Sequence, residues 1–497
     1  MRNRLIALLL VFVAAVPLAS QAPVENISIR ASAPSHPFPH YWEQMFGSGR
    51  AILSLRDSYR RDLHDVKQIT GFQYIRFHGV LDDDVGIYGE DKHGNPVYNF
   101  SYVDQIYDGL LAQNVKPFVE LSFMPYKLAG AQFLHPFWYH PNVSAPKDYA
   151  IWDDMITQFA KHLIDRYGID EVASWYFEVW NEPNLDFWAG APRQKTYFEL
   201  YDHTVRAIKG VNSRLRVGGP ATAQAAWVSA MIQHAHSTHV PLDFVSTHVY
   251  GNDKASDVFG TSENIPRDQM VCRSVKKVHD EIKASAEPTL PLIWSEFNAA
   301  YDNDVAVTDS VYMGPWLATT IAQCDGLTEM MSYWSFSDVF EEQGVVKTPF
   351  YGGFGLIAAG GIPKPSFYAF QILHELGEQR VENDSHDVLV TKTKDGALVV
   401  ALWNVVNPGS TGSARMMKLT FDDLPPGTRV SIQRVDEEHG NTLGLWKKMG
   451  SPQYPTPQQI AKLRAESQLP APETVTLSGG TITLELPVNG LAVVRVK

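Results

Sequence analysis

The chain has 497 residues, which is too many for one ordinary domain and enough for a barrel of about 250 residues with a smaller partner. Hydrophobic residues make up 44% and charged residues 20%, a composition that argues against global disorder. The formal net charge is −13 and there is no long run of Lys or Arg, so the chain is a poor candidate for binding nucleic acids or anionic membranes.

The first predicted element is an export signal at residues 1–22. Arg2 and Arg4 precede an apolar run at residues 5–16, and residues 18–22 supply small side chains for cleavage. This layout is typical of a signal peptide and predicts a secreted or periplasmic protein. A membrane anchor is the alternative, but the apolar run is shorter than the ~20 residues that a spanning helix needs. We therefore expect no stable membrane partner.

Residues 43–377 alternate between short β-like runs and amphipathic segments. Apolar residues repeat at helical spacing in residues 55–69, 152–163 and 198–208, and a glycine follows each segment. Eight strands are predicted, at residues 45–47, 74–77, 117–121, 174–179, 216–218, 244–247, 292–294 and 330–334. Strands that alternate with helices in this way predict the α/β class and a (β/α)8 TIM barrel. An open doubly wound sheet is the rival, but no Gly-rich phosphate loop follows the first strand.

The pattern changes after Gly377. Residues 384–406 and 415–434 alternate in character, and the tail from residue 474 is typical of two strands with Gly-containing turns. We therefore predict an antiparallel β-sandwich at residues 378–497 as an accessory domain. A strand at residues 27–30, within the N-terminal segment 23–42, is expected to join it. A polar, proline-rich insertion at residues 438–472 is expected to hold a short helix near residues 458–467.

The chain contains two cysteines, Cys272 and Cys324. An exported protein can pair them into a disulfide, but each lies in a segment that is predicted to be helical. Two buried free thiols are therefore the favoured expectation, with the disulfide as the alternative. A metal site is not predicted, because neither cysteine has another cysteine or a histidine at ligand spacing.

Two motifs that contain a carboxylate lie where a barrel places its catalytic groups. Residues 177–184 (Phe-Glu-Val-Trp-Asn-Glu-Pro-Asn) end the fourth predicted strand, and residues 293–298 (Ile-Trp-Ser-Glu-Phe-Asn) end the seventh. Catalytic side chains of such barrels lie at the C-terminal ends of strands. Glycoside cleavage needs one carboxylic acid to protonate the leaving oxygen and one carboxylate to attack the anomeric carbon or activate water. We therefore predict Glu182 as the general acid/base and Glu296 as the nucleophile.

Neighbouring side chains extend this hypothesis. Asn181 adjoins the acid, and an amide in this position can hydrogen-bond a sugar 2-hydroxyl. Trp334 follows the eighth strand and is predicted to pack against the apolar face of a sugar. Glu178 is predicted to be structural, whereas the sequence leaves open whether Glu120, at the end of the third strand, faces the mouth of the barrel.

Several further segments of the sequence are distinctive. They read Gly-Ser-Gly-Arg-Ala (47–51), Tyr-Ile-Arg-Phe-His-Gly (74–79), Trp-Asn-Glu-Pro-Asn (180–184), Val-Gly-Gly-Pro-Ala (217–221), Phe-Val-Ser-Thr-His-Val-Tyr (244–250), Ser-Tyr-Trp-Ser-Phe-Ser-Asp-Val-Phe-Glu-Glu (332–342) and Gly-Ile-Pro-Lys-Pro (361–365). Over most of residues 42–377 this set resembles glycoside hydrolase family 39, above all its bacterial β-xylosidases. One departure is Trp-Ser-Glu-Phe-Asn at residues 294–298, where those xylosidases usually have Thr-Glu-Trp-Asn.

The resemblance implies a retaining mechanism without a metal ion or an organic cofactor. Seven side chains would bind the sugar by similarity: His78, Asn181, His248, Tyr250, Tyr301, Trp334 and Glu342. Glu341 is the alternative to its neighbour Glu342. The loops at residues 125–141 and 189–193 match no pattern of the family, and these loops shape the substrate mouth.

The sequence thus predicts an exo-acting β-xylosidase that releases xylose from the non-reducing ends of xylo-oligosaccharides by double displacement. The alternatives are an arabinosidase, galactosidase, glucosidase or uronidase on the same scaffold, an endo-acting hydrolase, or a non-catalytic carbohydrate-binding protein. For a uronidase, Arg56, Lys127 and Arg193 are the candidate partners of the substrate carboxylate. The expected partners are oligosaccharides or aryl glycosides, and the sequence leaves the oligomeric state open.

Overall fold

The computed structural model describes residues 24–496, and the predicted signal peptide at residues 1–22 lies outside the described residues. The strands of the described chain are β1 (Val24–Ile29), β2 (Ser35–Pro37), β3 (Met45–Ser48), β4 (Tyr74–Phe77), β5 (Tyr88–Glu90), β6 (Pro96–Tyr98), β7 (Lys116–Leu121), β8 (Tyr176–Val179), β9 (Arg216–Thr222), β10 (Phe244–Tyr250), β11 (Leu292–Asn298), β12 (Met330–Tyr333), β13 (Ile357–Ala358), β14 (Ile362–Pro363), β15 (Gln379–Val381), β16 (Val388–Lys392), β17 (Leu398–Trp403), β18 (Arg415–Phe421), β19 (Arg429–Val435), β20 (Glu473–Thr476), β21 (Thr481–Leu486) and β22 (Leu491–Val496).

The α-helices are α1 (Asp57–Ile69), α2 (Ser101–Leu111), α3 (Tyr149–Tyr167), α4 (Ile169–Val172), α5 (Arg193–Val211), α6 (Val228–Thr238), α7 (Ala255–Phe259), α8 (Arg267–Lys283), α9 (Met313–Gln323), α10 (Pro365–Leu373), α11 (Thr442–Lys448) and α12 (Pro457–Glu466). Short 3-10 helices lie at Ala51–Leu55 and Ala223–Ala225. Between residues 24 and 496, no helix combines the length and the apolar character needed to cross a membrane.

Eight strands form a closed barrel, in the order β3, β4, β7, β8, β9, β10, β11 and β12. All neighbours in the barrel are parallel, and each strand overlaps one of the eight predicted runs. The predicted TIM barrel is therefore confirmed. Apolar side chains from five of the barrel strands form one buried cluster: Met45, Phe118, Phe244, Ile293 and Met330.

The helices of the barrel form where the sequence has helical periodicity and suitable ends, as α3 illustrates. Asp148 caps its N-terminus by accepting a hydrogen bond from the Ala150 amide, and Gly168 (φ 81°) follows its last residue. Trp152 and Phe159 are among the side chains that it buries, and the Trp152 indole donates a hydrogen bond to Thr204 of α5. The apolar spacing thus predicts both the helix and its buried face.

Cys272 and Cys324 form a disulfide, so the favoured prediction of two free thiols is wrong. Cys272 lies within α8, and Cys324 directly follows α9. The two helices pack side by side, which brings the Cα atoms to 5.1 Å. Both residues do lie at helices, but helical periodicity carries no information about which helices are neighbours.

The C-terminal strands form two further sheets together with the N-terminal strands β1 and β2. One contains three strands in the order β1, β18, β21, and the other contains seven in the order β2, β15, β16, β17, β22, β19, β20. Apolar residues from both sheets, such as Ile29, Val400 and Leu419, share one core, which is the packing of a β-sandwich. The N-terminal strand pairs with β18 in parallel, so this one pair departs from the predicted antiparallel arrangement.

The insertion between β19 and β20 contains α11 and α12. Helix α12 matches the predicted short helix, and it begins with a capping box in which Thr456 and Gln459 bond each other's backbone amides. Apolar residues of the two helices, Trp446 and Leu463 among them, pack on Phe350 in the loop that follows the last barrel strand. The insertion thus packs against the barrel.

Candidate active site

The carboxyl ends of the barrel strands surround a cavity of about 270 Å³. All nine side chains that were predicted as site residues line it: His78, Asn181, Glu182, His248, Tyr250, Glu296, Tyr301, Trp334 and Glu342. The other lining residues are Phe137, Leu185, Phe187, Ala223, Gln224, Asp253, Gln343 and Phe354. Strands that are far apart in the sequence therefore bring the predicted residues to one place.

Glu182 is presented by a tight bend after β8. Trp180 (φ 73°) and Glu182 (φ 43°) both adopt left-handed conformations, which are uncommon for residues with a Cβ atom and persist where the surroundings fix them. The Glu182 amide donates a hydrogen bond to the Ala221 carbonyl at 2.8 Å, and the Glu182 carbonyl accepts one from the Leu185 amide at 2.9 Å. These bonds hold the bend from which Glu182 lines the cavity.

Glu296 lies within β11, and His248 from β10 lies between the two catalytic candidates. His248 Nδ1 is 3.0 Å from Oε1 of Glu182 and 3.1 Å from Oε2 of Glu296. One oxygen of each carboxyl group lies within 4.8 Å of an oxygen of the other. Burial lowers the pKa of His248 well below its usual value, and nearby cations lower it further. The imidazole is therefore neutral. Its single N–H lies either on Nδ1, facing the two carboxyl groups, or on Nε2, which is 3.1 Å from the Ser295 hydroxyl.

The surroundings of the two carboxyl groups differ. Burial raises the pKa of Glu182 well above its usual value, and the charge of Glu296 raises it further. Burial also raises the pKa of Glu296, but the charges of Arg76 and His78 and then the Tyr250 hydroxyl oppose this effect. The Tyr250 hydroxyl is 2.6 Å from one oxygen of Glu296, and Arg76 Nη1 is 3.2 Å from the other. Since these donors favour an ionised Glu296, the proton of the pair belongs on Glu182.

Arg76 is a fully buried cation beneath the cavity. Its guanidinium contacts Glu178 at 2.6 Å, Glu120 at 2.8 Å, the Asn181 side-chain oxygen at 2.9 Å and Glu296 at 3.2 Å. A buried guanidinium is stable only when its donors are paired, and the planar fork of Arg can serve several acceptors. Arg76 therefore fixes Asn181 and Glu296 relative to each other.

Sequence reasoning missed Arg76 as a site residue. The available signal was a charged residue in the middle of a predicted barrel strand, at residues 74–77, because such a charge must find partners inside the barrel. Glu178 and Glu120 are those partners, and both are fully buried. Neither is among the side chains that line the cavity, which answers the question left open for Glu120.

His78, Glu342 and Trp334 form the wall of the cavity near Arg76. His78 Nδ1 is 2.7 Å from Glu120, its Nε2 is 3.7 Å from Glu342, and its ring lies 4.7 Å from the Trp334 ring. Burial raises the pKa of Glu342 to about 8. A Cβ atom on Gly47 would lie 2.0 Å from the Trp334 ring, so only glycine permits this position of the indole. The wall thus combines an aromatic face with two hydrogen-bonding groups.

Glu341 and Glu342, which are adjacent in the sequence after the last barrel strand, have different surroundings in the structure. Glu341 is paired with Arg56 at 2.6 Å and Arg50 at 3.4 Å, outside the cavity lining. Glu342 lines the cavity, as predicted. Tyr301 also reaches the cavity, but 53% of its surface is exposed, so it lies at the mouth.

Within residues 24–496, two groups of three side chains have donor atoms at the spacing of a metal site. One group is Glu182, His248 and Glu296, whose donor atoms are already hydrogen-bonded to one another and to neighbouring side chains. The other group, His40, Glu43 and His374, joins the segment before β3 to the end of α10 through contacts of 2.7 Å. Separations of this length are those of hydrogen bonds between the side chains themselves.

The sequence profile of glycosyl hydrolases family 39 matches residues 25–480. The chain belongs to glycosyl hydrolase family 39. Two relatives are 38% identical to this chain. One is a beta-xylosidase from Geobacillus stearothermophilus, matched over 460 residues that cover 90% of each chain. The other is a beta-xylosidase from Caldicellulosiruptor saccharolyticus, matched over 472 residues that cover 92% of this chain and 94% of the relative. The solved structure of a monomeric beta-xylosidase from Caulobacter crescentus CB15 is 32% identical and superposes with a TM-score of 0.86, covering 95% of this chain and 99% of the other.

Membership of family 39 confirms the resemblance predicted from the sequence. The chain is an O-glycosyl hydrolase, and its substrates are glycosides. The non-catalytic carbohydrate-binding alternative is accordingly set aside.

Proposed function

We propose that this family 39 hydrolase is an exo-acting β-xylosidase that retains the anomeric configuration. The observation that carries the mechanism is the approach of Glu182 and Glu296 to within 4.8 Å, oxygen to oxygen. Retaining glycosidases have carboxyl groups about 5–5.5 Å apart, whereas inverting enzymes need roughly 6.5–9.5 Å to admit a water molecule. The short separation supports direct attack by one carboxylate.

In the first step, Glu296 attacks the anomeric carbon and forms a glycosyl ester, while the proton of Glu182 passes to the leaving oxygen as the glycosidic bond breaks. Loss of the Glu296 charge then lowers the pKa of Glu182. In the second step, Glu182 takes a proton from water, whose oxygen attacks the anomeric carbon and displaces Glu296. The two steps restore both carboxyl groups to their starting protonation states.

Asn181 has a defined place in this mechanism. Its side-chain oxygen accepts a hydrogen bond from Arg76, so its amide N–H donors are left to face the cavity. A donor in this position can bind the sugar 2-hydroxyl, whose hydrogen bonds strengthen in the oxocarbenium-like transition state.

The charges around the cavity favour a neutral sugar over a uronic acid. Among the described residues that line the cavity there is no Lys or Arg. The three candidate partners for a uronate are used elsewhere: Arg56 contacts Glu341, Arg193 contacts Asp186, and Lys127 donates to the Glu90 carbonyl. Arg76 lies below the cavity, and its donors are taken by carboxylates and an amide.

The size of the cavity supports exo action. Its volume of about 270 Å³ lies just below the ~300–1,000 Å³ typical of sites for drug-sized ligands. Such a space suits the end of a short oligosaccharide better than a length of polymer. Xylose is the sugar named for the two 38% identical relatives, and this supports the choice among neutral sugars.

Hydrolysis of p-nitrophenyl β-D-xyloside by wild type, Glu182→Ala and Glu296→Ala, with and without azide, tests the proposal. We expect both variants to lose about 10³-fold or more in kcat, because each lacks a group that takes part in bond making. Azide should rescue Glu182→Ala to the β-xylosyl azide and Glu296→Ala to the α-xylosyl azide. Full activity in either variant would contradict the assignment, whereas a wild type that cleaves only another glycoside would change the sugar alone.

We further propose that the protein is exported, with residues 1–22 removed. The positive start, the apolar run and the small residues support this, and a disulfide between Cys272 and Cys324 suits an oxidising compartment. Fractionation of the native host with mass spectrometry of the mature chain tests the proposal. A cytoplasmic protein with an intact N-terminus would contradict it.

A further inference from the structure

The segment that follows the middle of β9 has an unusual backbone. Four of its non-glycine residues adopt left-handed conformations: Ala221 (φ 53°), Gln224 (φ 61°), Ala225 (φ 51°) and Trp227 (φ 62°). Each such conformation is unfavourable for a residue with a Cβ atom, and clusters of them occur chiefly where function requires a particular shape. The catalytic steps described above use none of these side chains.

Hydrogen bonds fasten this segment to the bend that carries the acid/base. The Asn184 side chain accepts from the Ala223 amide at 2.9 Å and donates to the Ala223 carbonyl at 3.1 Å. The Glu182 amide donates to the Ala221 carbonyl at 2.8 Å. Asn184 is the last residue of the Trp-Asn-Glu-Pro-Asn motif and has no place in the chemistry. Its contacts show that the motif also positions the strained segment beside Glu182.

The strained segment places Gln224 on the wall of the cavity, where its side chain lies close enough to Asp253 to lower the pKa of that carboxyl group, against the larger effect of burial. Asp253 also lines the cavity, and it accepts a hydrogen bond from the Tyr250 amide at 2.8 Å. Both side chains are partly exposed to the cavity. The negative charge of Asp253 also raises the pKa of Glu182, although burial and the charge of Glu296 have larger effects. Gln224 and Asp253 are therefore neighbours of the acid.

The direction of proton transfer assigns these two residues to one end of the substrate. The leaving oxygen must contact Glu182, so the leaving group lies on the side of the cavity next to Glu182. The sugar that forms the ester is held on the other side, by the wall of His78, Trp334 and Glu342. An amide and a carboxylate bind sugar hydroxyls well and offer nothing to an aromatic or methyl leaving group.

We propose that Gln224 and Asp253 bind the hydroxyls of the leaving sugar, so that the enzyme selects glycosides whose leaving group is itself a sugar. This inference rests on the proposed function, because the role of Glu182 defines the leaving-group side.

The test compares kcat/KM for xylobiose with kcat/KM for methyl β-D-xyloside, in wild type, Gln224→Ala and Asp253→Asn. Both leaving groups are alcohols that need a proton from Glu182, but only xylose offers further hydroxyls. The ratio of the two constants therefore isolates recognition of the leaving sugar from acid catalysis. We expect the ratio to fall about tenfold in each variant, the loss typical of one or two hydrogen bonds to substrate hydroxyls.

Lys254→Gln is the matched control, since it removes a charge from the residue next to Asp253 but lies on the exposed side of the loop, outside the cavity lining. Its ratio should equal that of wild type. Unchanged ratios in both test variants, or equal losses on the two substrates, would overturn the inference. If wild type cleaves neither xyloside, the proposed function is contradicted. The inference is then tested with another sugar, by comparing kcat/KM for the disaccharide and the methyl glycoside that the wild type does cleave.

Discussion

Arg76 sets the charge balance of the catalytic centre at the scale of a single residue. It is fully buried and contacts three carboxylates, one of which is Glu296. It lowers the pKa of Glu296 and also that of Glu182, in both cases against the effect of burial. A Lys in its place would keep the charge but could not reach all the partners, because an ammonium group is a point charge without the planar fork of a guanidinium.

We expect Arg76→Lys to lower kcat/KM for the aryl xyloside roughly 100-fold, or ~2.7 kcal/mol of transition-state stabilisation. The pH profile gives a second readout. When the ionised forms of Glu296 and Glu182 are stabilised less, the pKa values of both groups rise. Activity is then lost at a higher pH on the acid side, where Glu296 becomes protonated, and persists to a higher pH on the alkaline side, where Glu182 loses its proton. Measurement of kcat/KM from pH 4 to pH 9 checks this.

Arg216→Lys is the control for Arg76→Lys. Arg216 begins β9 at the opposite end of the barrel, where it donates to the carbonyls of Trp175 and Ser174 and packs over the Tyr176 ring. Replacement of Arg216 by Lys should leave the pH profile of kcat/KM unchanged. If Arg76→Lys had the same pH profile of kcat/KM as the wild type, the proposed electrostatic role of Arg76 would be refuted.

At the scale of elements, the connection between β12 and β13 forms one side of the cavity. It contributes Glu342, Gln343 and Phe354 to the lining. A buried ion cluster holds it: Lys364 Nζ is 2.7 Å from Asp309 and 2.5 Å from Asp338, and it donates to the Gly353 carbonyl at 2.9 Å. Asp309 and Asp338 in turn accept hydrogen bonds from backbone amides of the connection. The cluster thus replaces regular secondary structure in fixing this segment.

Removing the cation should therefore destabilise the protein and loosen the cavity. We expect Lys364→Met to lower the free energy of unfolding by about 3–5 kcal/mol, because two buried carboxylates lose their partner. Calorimetry would show a lower Tm, and the KM for the aryl xyloside would rise. Adding Asp309→Asn and Asp338→Asn should recover part of the Tm, since no unpaired charge then remains. If Lys364→Met alone were as stable as the wild type, the cluster would not be what holds the connection.

At the scale of the whole molecule, local patterns predicted the architecture well. The barrel strands could be found because each is a short apolar run between helical segments, and alternation with helices implies parallel pairing. The partner of a strand or helix outside such a repeat could not be found. The parallel pairing of β1 with β18 and the disulfide between α8 and the end of α9 both depend on which distant segments become neighbours.

The residues of the candidate site could likewise be predicted only in part. Residues at the ends of barrel strands, such as Glu182 and Trp334, could be placed from the sequence, since the fold itself brings strand ends together. Arg76 was missed because a charge inside a strand is revealed as functional only by its partners. Gln224 and Asp253 were missed because their positions depend on loop conformation, including left-handed residues that carry no glycine signature.

The disulfide has a consequence for the unfolded chain that concerns catalysis. Cys272 and Cys324 are 52 residues apart, and the covalent loop that they close contains the whole of β11 with Glu296. Loop closure on this scale reduces the entropy of the unfolded ensemble by an amount worth about 4 kcal/mol in the chain-entropy description. A protease that cut the chain once between the two cysteines would leave both fragments tethered, so the strand that carries the nucleophile would stay covalently attached to the rest of the barrel.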